Sequence, residues 1–165
     1  MQYINGVPSY ILDQFYSPGI LLVSGSGPNA WGHAILRLSK LGPYAHVHKP
    51  YDYPDFMDSI DEYLKTENKI IWDEIDIKVP NMDAAKQELD RVAQLKWFWK
   101  AVTDNCVSFA VQVLNAGGAN IPNNLSNLPN KVLSQVLNGI SPNMKVDYSI
   151  QSEKGFSSYI GNDDL

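Results

Sequence analysis

The sequence predicts one α+β domain in which an antiparallel sheet packs against helices. Three observations predict it. Short apolar or β-branched runs near residues 19–23, 32–39, 44–49 and 70–79 are bounded by glycines and prolines, as strands are. Stretches at 54–66, 81–100, 105–118 and 128–139 instead space their apolar residues at helical intervals. A chain of 165 residues, 44% hydrophobic, suits one sizeable core better than two.

Taken in order, "GILLVSGSG" (19–27) reads as a buried strand running into a loop at Gly25 and Gly27. "GHAILRLS" (32–39) alternates, with His33, Ile35 and Arg37 on one face and Ala34, Leu36 and Leu38 on the other. "GPY" then turns the chain into "YAHVHK", where His46 and His48 share a face. In "PDFMDSIDEYLKT" (54–66), Phe56, Met57, Ile60, Tyr63 and Leu64 form a helical stripe, with Pro54 in the first turn. "KIIWDEIDIKVP" alternates at Ile75, Ile77 and Val79 and ends at Pro80, a strand. The following helix lines up Met82, Ala85, Leu89, Val92 and Ala93, with Asp83 as its cap. Val107, Ala110, Val111 and Leu114 define the next, capped by Thr103, Asp104 or Asn105 and stopped by Gly117 and Gly118. "LPNKVLSQVLNG" is a shorter helix with Val132, Leu133, Val136 and Leu137 inward and Gly139 after it. The tail, 142–165, follows neither period and is unassigned; no repeat of 20 to 50 residues is present.

Charge narrows the function classes. Eighteen acidic against 13 basic residues give a formal net charge of -5, and no Lys/Arg cluster occurs, which argues against a nucleic-acid surface. The apolar runs fall far short of the ~20 residues that span a bilayer, so no membrane span is expected. The N-terminus lacks a basic region and is interrupted by Pro8 and Asp13, unlike a signal peptide, so synthesis in the cytoplasm is expected, with any action outside the cell requiring a dedicated export machine.

The one cysteine, Cys106, lies in or beside the first turn of its helix, where unpaired N–H groups and the macrodipole favour a thiolate. Cysteine is equally a good small core residue, and this position accommodates that role. A nucleophilic cysteine needs a base, and the three histidines are confined to 33, 46 and 48. His46 and His48, two apart on one face, would also suit a metal site with a third ligand such as Cys106 or an Asp, giving something like His2Cys, but no metal or other cofactor is expected. "SGSGPNAWGHA" is not followed by the basic helix of a phosphate loop and lacks the order of a nucleophile elbow; it suits a loop whose Trp31 walls a cleft. Asp58, Asp61, Glu62 and Glu67 read as a solvated helix face, and "WFW" (97–99) as packing.

A "GHAILRL" strand, a second histidine-bearing strand and a later "DNCVSFAVQVLNAGG" helix, in that order, resemble the circularly permuted branch of the papain-like superfamily, which includes NlpC-type peptidases and lecithin retinol acyltransferase-like enzymes. The resemblance covers roughly 19–138 of a single domain, 1–165. It implies a papain-like fold, Cys106 as nucleophile, His33 as base, and a third polar residue from the next strand that orients the imidazole. His46 and His48 both qualify, and the shorter hairpin favours His46. The Cys106 N–H would serve the oxyanion. Trp31, Tyr44, His48, Tyr51 and Asn105 are expected on the substrate side.

The expected activity is a cysteine hydrolase that cleaves an amide of a bacterial cell-wall peptide through an acyl-enzyme. Small members of this branch occur among antibacterial effectors of type VI-like secretion systems, which implies export to a target-cell periplasm, a secretion-apparatus component and an immunity protein as partners. The alternatives are a lipid or ester hydrolase or acyltransferase, and a non-catalytic binding module in which Cys106 is core.

Overall fold

The computed structural model describes residues 1–24, 32–98, 105–123, 125 and 130–140. Trp31, Trp99 and the 142–165 tail lie outside the described residues.

After a short helix α1 (Ser9–Leu12), five strands form one sheet: β1 (Gly19–Val23), β2 (His33–Arg37), β3 (Tyr44–His46), β4 (Asp55–Met57) and β5 (Ile71–Asp76). Their order is β4-β3-β2-β1-β5, with every neighbouring pair antiparallel. Helices α2 (Asp61–Thr66), α3 (Met82–Ala93), α4 (Cys106–Ala116) and α5 (Asn130–Ile140) are the further elements among the described residues. The expected α+β class with an antiparallel sheet is what the chain adopts.

Period-2 alternation sorts the strand residues between two apolar clusters. Ile20, Leu22, Ala34, Leu36, Ala45, Phe56 and Ile75 enter the main core with the buried faces of α3 and α4. Leu21, Val23, Ile35 and Tyr44 point the other way, into a smaller cluster closed by Ile60, Met57, Tyr63 and Leu64. Both faces of the central strands are therefore covered, which is why β1, β2 and β3 are buried at every position. Arg37, on the second face, is fully buried; Glu74 and Asp76 of β5 accept from it at 2.6 and 2.5 Å.

Four local expectations need correction. Residues 55–57 are a strand, not the start of a helix: Asp55 pairs with His46 and Phe56 with Ala45, and α2 begins only at Asp61. The stripe from Phe56 to Leu64 fits helical spacing, but the free edge of β3 gives the first three residues a ladder of backbone partners that six helical residues could not match. The cap of α3 is Asn81, whose side chain accepts from the Ala84 N–H; Asp83 lies inside the first turn. The left-handed residue after α4 is Gly118 (φ +85°), whereas Gly117 has φ -88°. Gly117 is required for space: a Cβ there would lie 2.7 Å from the Asn81 carbonyl oxygen. Gly139 lies within α5 rather than after it.

The β2–β3 turn passes through a cis Gly42–Pro43 bond, with Gly42 at φ +93°. A Cβ at Gly42 would meet the Tyr44 ring at 2.7 Å and the Asp58 carbonyl oxygen at 2.9 Å, so glycine meets both a steric and a backbone requirement. This tight hairpin sets His33 and His46 on neighbouring strands of the same face.

Candidate active site

Helix α4 is apolar on nearly all sides, as befits a central element, with Cys106, Val107, Phe109, Ala110, Val111, Val113 and Leu114 all buried. Its start is set by Asn105. The Asn105 side chain accepts from the Val107 and Ser108 N–H groups at 3.0 and 3.4 Å, and the Asn105 N–H donates to Ser108 Oγ at 2.6 Å. This reciprocal box satisfies two of the orphan donors of the first turn, and the next side chain, Cys106, lies against the start of the central strand β2.

There β2 begins. The Ala34 N–H donates to Cys106 Sγ at 3.4 Å, which joins the thiol to the residue after His33. His33 Nε2 lies 2.7 Å from His46 Nδ1, a buried hydrogen bond between neighbouring strands. His48 stacks on His46 with ring centroids 4.5 Å apart and planes 7° from parallel, and it does not reach His33 as a hydrogen-bond partner. Of the two candidates for orienting His33, His46 is the one hydrogen-bonded to it.

The electrostatics favour neutral groups at rest. Burial pushes the Cys106 thiol above its ordinary value, while N–H groups of Ala34, Val107 and Cys106 itself pull it back. Burial holds the His33 imidazole well below its ordinary value, helped by His46, His48 and Lys69. His46 is lowered to about 3, by burial first and then by His48, with Asp55 opposing. Two neutral imidazoles share one proton along their hydrogen bond, so one ring donates and the other accepts. With His33 Nε2 engaged by His46, Nδ1 is the His33 nitrogen left to accept a proton. That requires His33 to carry its hydrogen on Nε2 and donate it to His46 Nδ1, which leaves the His46 hydrogen on Nε2.

Three further residues belong to this neighbourhood. The Tyr63 ring packs edge-on against His46 at 5.3 Å and lies 6.2 Å from His33; burial first, then Glu67 and Cys106, raise its phenol above the ordinary value. Lys69 donates to the Ser24 carbonyl oxygen at 2.9 Å, and its ammonium is lowered by burial, with Glu67 and Cys106 opposing. Asp55, strand partner of His46, faces His48 Nε2 at 3.9 Å. A cavity of about 460 Å³ opens beside them, lined by Asp55, Asp58, Glu62, Tyr63 and Glu67 among others. The sequence singles out none of these three: Tyr63 lies in an ordinary apolar stripe, and Asp55 in a segment whose spacing predicts helix. The spacing of Lys69, at the end of a turn before β5, carries no signal.

The remaining expected site residues separate. Tyr44 is only 6% exposed and packs in the second core cluster, so burial accounts for it. Tyr51 is exposed, at φ +58°, with its ring 4.8 Å from Phe98. Asn105 is the helix cap rather than a residue presented to a ligand. Trp97 packs edge-on against Phe109 at 5.5 Å. The metal-type cluster among the described residues is His46, His48 and Asp55, so of the two third ligands offered by the sequence, Cys106 or an Asp, it is an Asp that lies with the histidines. Comparison with protein families, curated proteins and solved structures finds no match to this chain.

Proposed function

We propose that this protein is a cysteine hydrolase of the permuted papain-like kind, with Cys106 as nucleophile, His33 as base and His46 as the residue that positions His33. One observation carries the reading: a buried 2.7 Å His33–His46 hydrogen bond at the strand start whose next N–H donates to the thiol of a helix-opening cysteine. Core packing explains a buried cysteine, but it does not explain two desolvated imidazoles bonded to each other beside it.

In this mechanism the neutral pair reacts in concert. As Cys106 Sγ attacks a carbonyl carbon, its proton passes to His33 Nδ1, and the imidazolium is held by its Nε2–H donation to His46. The oxyanion that forms takes the Cys106 N–H, since Asn105 already engages the Val107 and Ser108 N–H groups. His33 then gives its proton to the leaving amine, and water hydrolyses the thioester with His33 again as base.

The substrate class supported best is a peptide amide of the cell wall. The acidic cavity beside Tyr63 suits a peptide with amino groups and repels an anionic lipid surface. No helix among the described residues is long and apolar enough to cross a membrane. Export to a target periplasm, with a secretion component and an immunity protein as partners, accompanies this reading by resemblance. Purified protein is expected to release fragments from peptidoglycan and no fatty acid from phospholipid vesicles, with Cys106→Ala inactive. Fatty-acid release dependent on Cys106, with peptidoglycan left intact, would replace this reading with the lipid-directed one.

A further inference from the structure

His46, His48 and Asp55 can each bring a ligand atom within 4.8 Å of the other two. A zinc-type ion with bonds of ~2.0–2.1 Å holds tetrahedral donors about 3.3 Å apart, so donors up to 4.8 Å apart need to close by up to about 1.5 Å. His48 and Asp55 are partly exposed, which leaves their side chains room to do so. The Met1 ammonium occupies Asp55 Oδ1 at 2.6 Å, and Oδ2 is the oxygen that faces His48. Asp55 also lines the 460 Å³ cavity, which has room for a water as fourth ligand. Two imidazoles and one carboxylate, with the thiol absent, form a donor set suited to zinc and its divalent neighbours rather than to magnesium or calcium.

The His46 nitrogen available to a cation is Nε2, because Nδ1 is held by His33 at 2.7 Å. Here the same nitrogen that would bind the metal carries the hydrogen in the tautomer that His33 needs. We propose that His46, His48 and Asp55 form a binding site for a divalent transition-metal ion of the zinc class, whose occupancy disables His33 by forcing the opposite tautomer of His46. The site stands without the hydrolase reading; its effect on Cys106 rests on that reading.

The protons balance as follows. Metal binding displaces the hydrogen from His46 Nε2, and the neutral His46 ring then carries its hydrogen on Nδ1, pointing at His33 Nε2. His33 Nε2 becomes the acceptor of that bond, so the His33 hydrogen resides on Nδ1. Two neutral rings still hold two hydrogens, and no net proton is released. His33 Nδ1, now a donor, no longer accepts the Cys106 proton. A metal ligand and its hydrogen-bonded neighbour are coupled through the imidazole in this way generally.

The test uses the full chain. Titration with Zn²⁺ alone by calorimetry should show one ion per chain, with affinity reduced at least 10-fold by His48→Ala and by Asp55→Asn and unchanged by Cys106→Ala. Co²⁺ alone should give ligand-field bands without thiolate-to-cobalt charge transfer. Zn²⁺ should slow iodoacetamide alkylation of Cys106 at least 10-fold in the unsubstituted protein and leave the rate in His48→Ala unaltered at the same concentration. Loss of binding in Cys106→Ala, or wild-type affinity in both His48→Ala and Asp55→Asn, would overturn the site. Tight binding that leaves alkylation unchanged would overturn the switch. Neither readout uses a substrate, so failure of the hydrolase reading appears separately, as peptidoglycan left intact by the metal-free protein.

Discussion

His33 Nε2 and His46 Nδ1 meet at 2.7 Å inside the protein, on adjacent antiparallel strands thirteen residues apart in sequence. The bond commits one nitrogen of each ring and leaves the other, His33 Nδ1 and His46 Nε2, which the proposed mechanism and the proposed metal site use. The expected behaviour of variants follows from that division of labour.

Cys106→Ala and His33→Ala should each abolish hydrolysis of peptidoglycan, and the double variant should lose little more. Nucleophile and base act as one unit, so their effects do not add. Fragment release by each purified variant checks this; full activity in either single variant contradicts the hydrolase reading.

His46→Ala should reduce kcat/KM by roughly 10- to 1,000-fold, because an unheld imidazole loses both tautomer and orientation. His48→Ala should reduce it less, since His48 touches His46 by stacking and does not bond to His33. Kinetics of the two variants in metal-free buffer, side by side, give the ranking; the reverse order would transfer the positioning role to His48.

Stability should fall on the acid side beginning near pH 6.5. His46 is lowered to about 3 and His33 lies well below its ordinary value, each chiefly through burial. The unfolded chain protonates these rings below about 6.5 while the folded chain does not, so the unfolded state binds more protons as pH drops. Their contribution is fully present above that pH and is lost as pH falls toward the folded values, at up to about 1.4 kcal/mol per pH unit per ring. Asp76 and Glu88, whose carboxyl groups are lowered, act only below their ordinary values of 3.8 and 4.5, so between about pH 6.5 and 5 the loss belongs to the histidines, and below that the two effects overlap. Urea midpoints at pH 7.5 and 5.0 should differ, and the difference should shrink in His46→Gln. A flat midpoint across that interval would show that the rings are not held neutral by burial.

Asn105→Ala should destabilise the fold by about 0.5–2 kcal/mol, because the α4 donors that Asn105 satisfies become orphans. Asn105→Ser should restore most of that loss, serine being an equally good cap. Urea unfolding distinguishes the two. Equal stability of Asn105→Ala and the parent protein would mean that water caps α4 as well as asparagine does.

Much was legible in the sequence because it depended on local periodicity. The alternation in 33–38 and 71–79 separated the faces of β2 and β5, and the 3.6-residue spacing after residue 106 defined α4 and placed Cys106 in its first turn. Residue type and place mark Cys106 as a candidate nucleophile but leave all three histidines open as its base; the choice of His33 comes from the resemblance to the permuted papain-like branch. Between His46 and His48 period 2 cannot decide, since residues two apart on a strand share a face, and only the shorter hairpin favours His46.

Tertiary structure decided the rest. His46 rather than His48 bonds to His33, and it does so diagonally, since the register pairs Leu36 with Ala45 and Arg37 with Tyr44 and β3 ends at His46; the pairing of β4 with β3 turns Asp55 from the first turn of an expected helix into the strand partner of His46. Tyr44, expected at a substrate, is taken into the second cluster, and Tyr63 is carried over both imidazoles by the helix that closes it. The physical reason is the same in each case. A short segment's preference is worth tenths of a kcal/mol to about 1 kcal/mol per residue, whereas a strand edge with unsatisfied backbone groups and an open apolar face offers more. Which residues become neighbours there is set by partners far along the chain, and no local period encodes them.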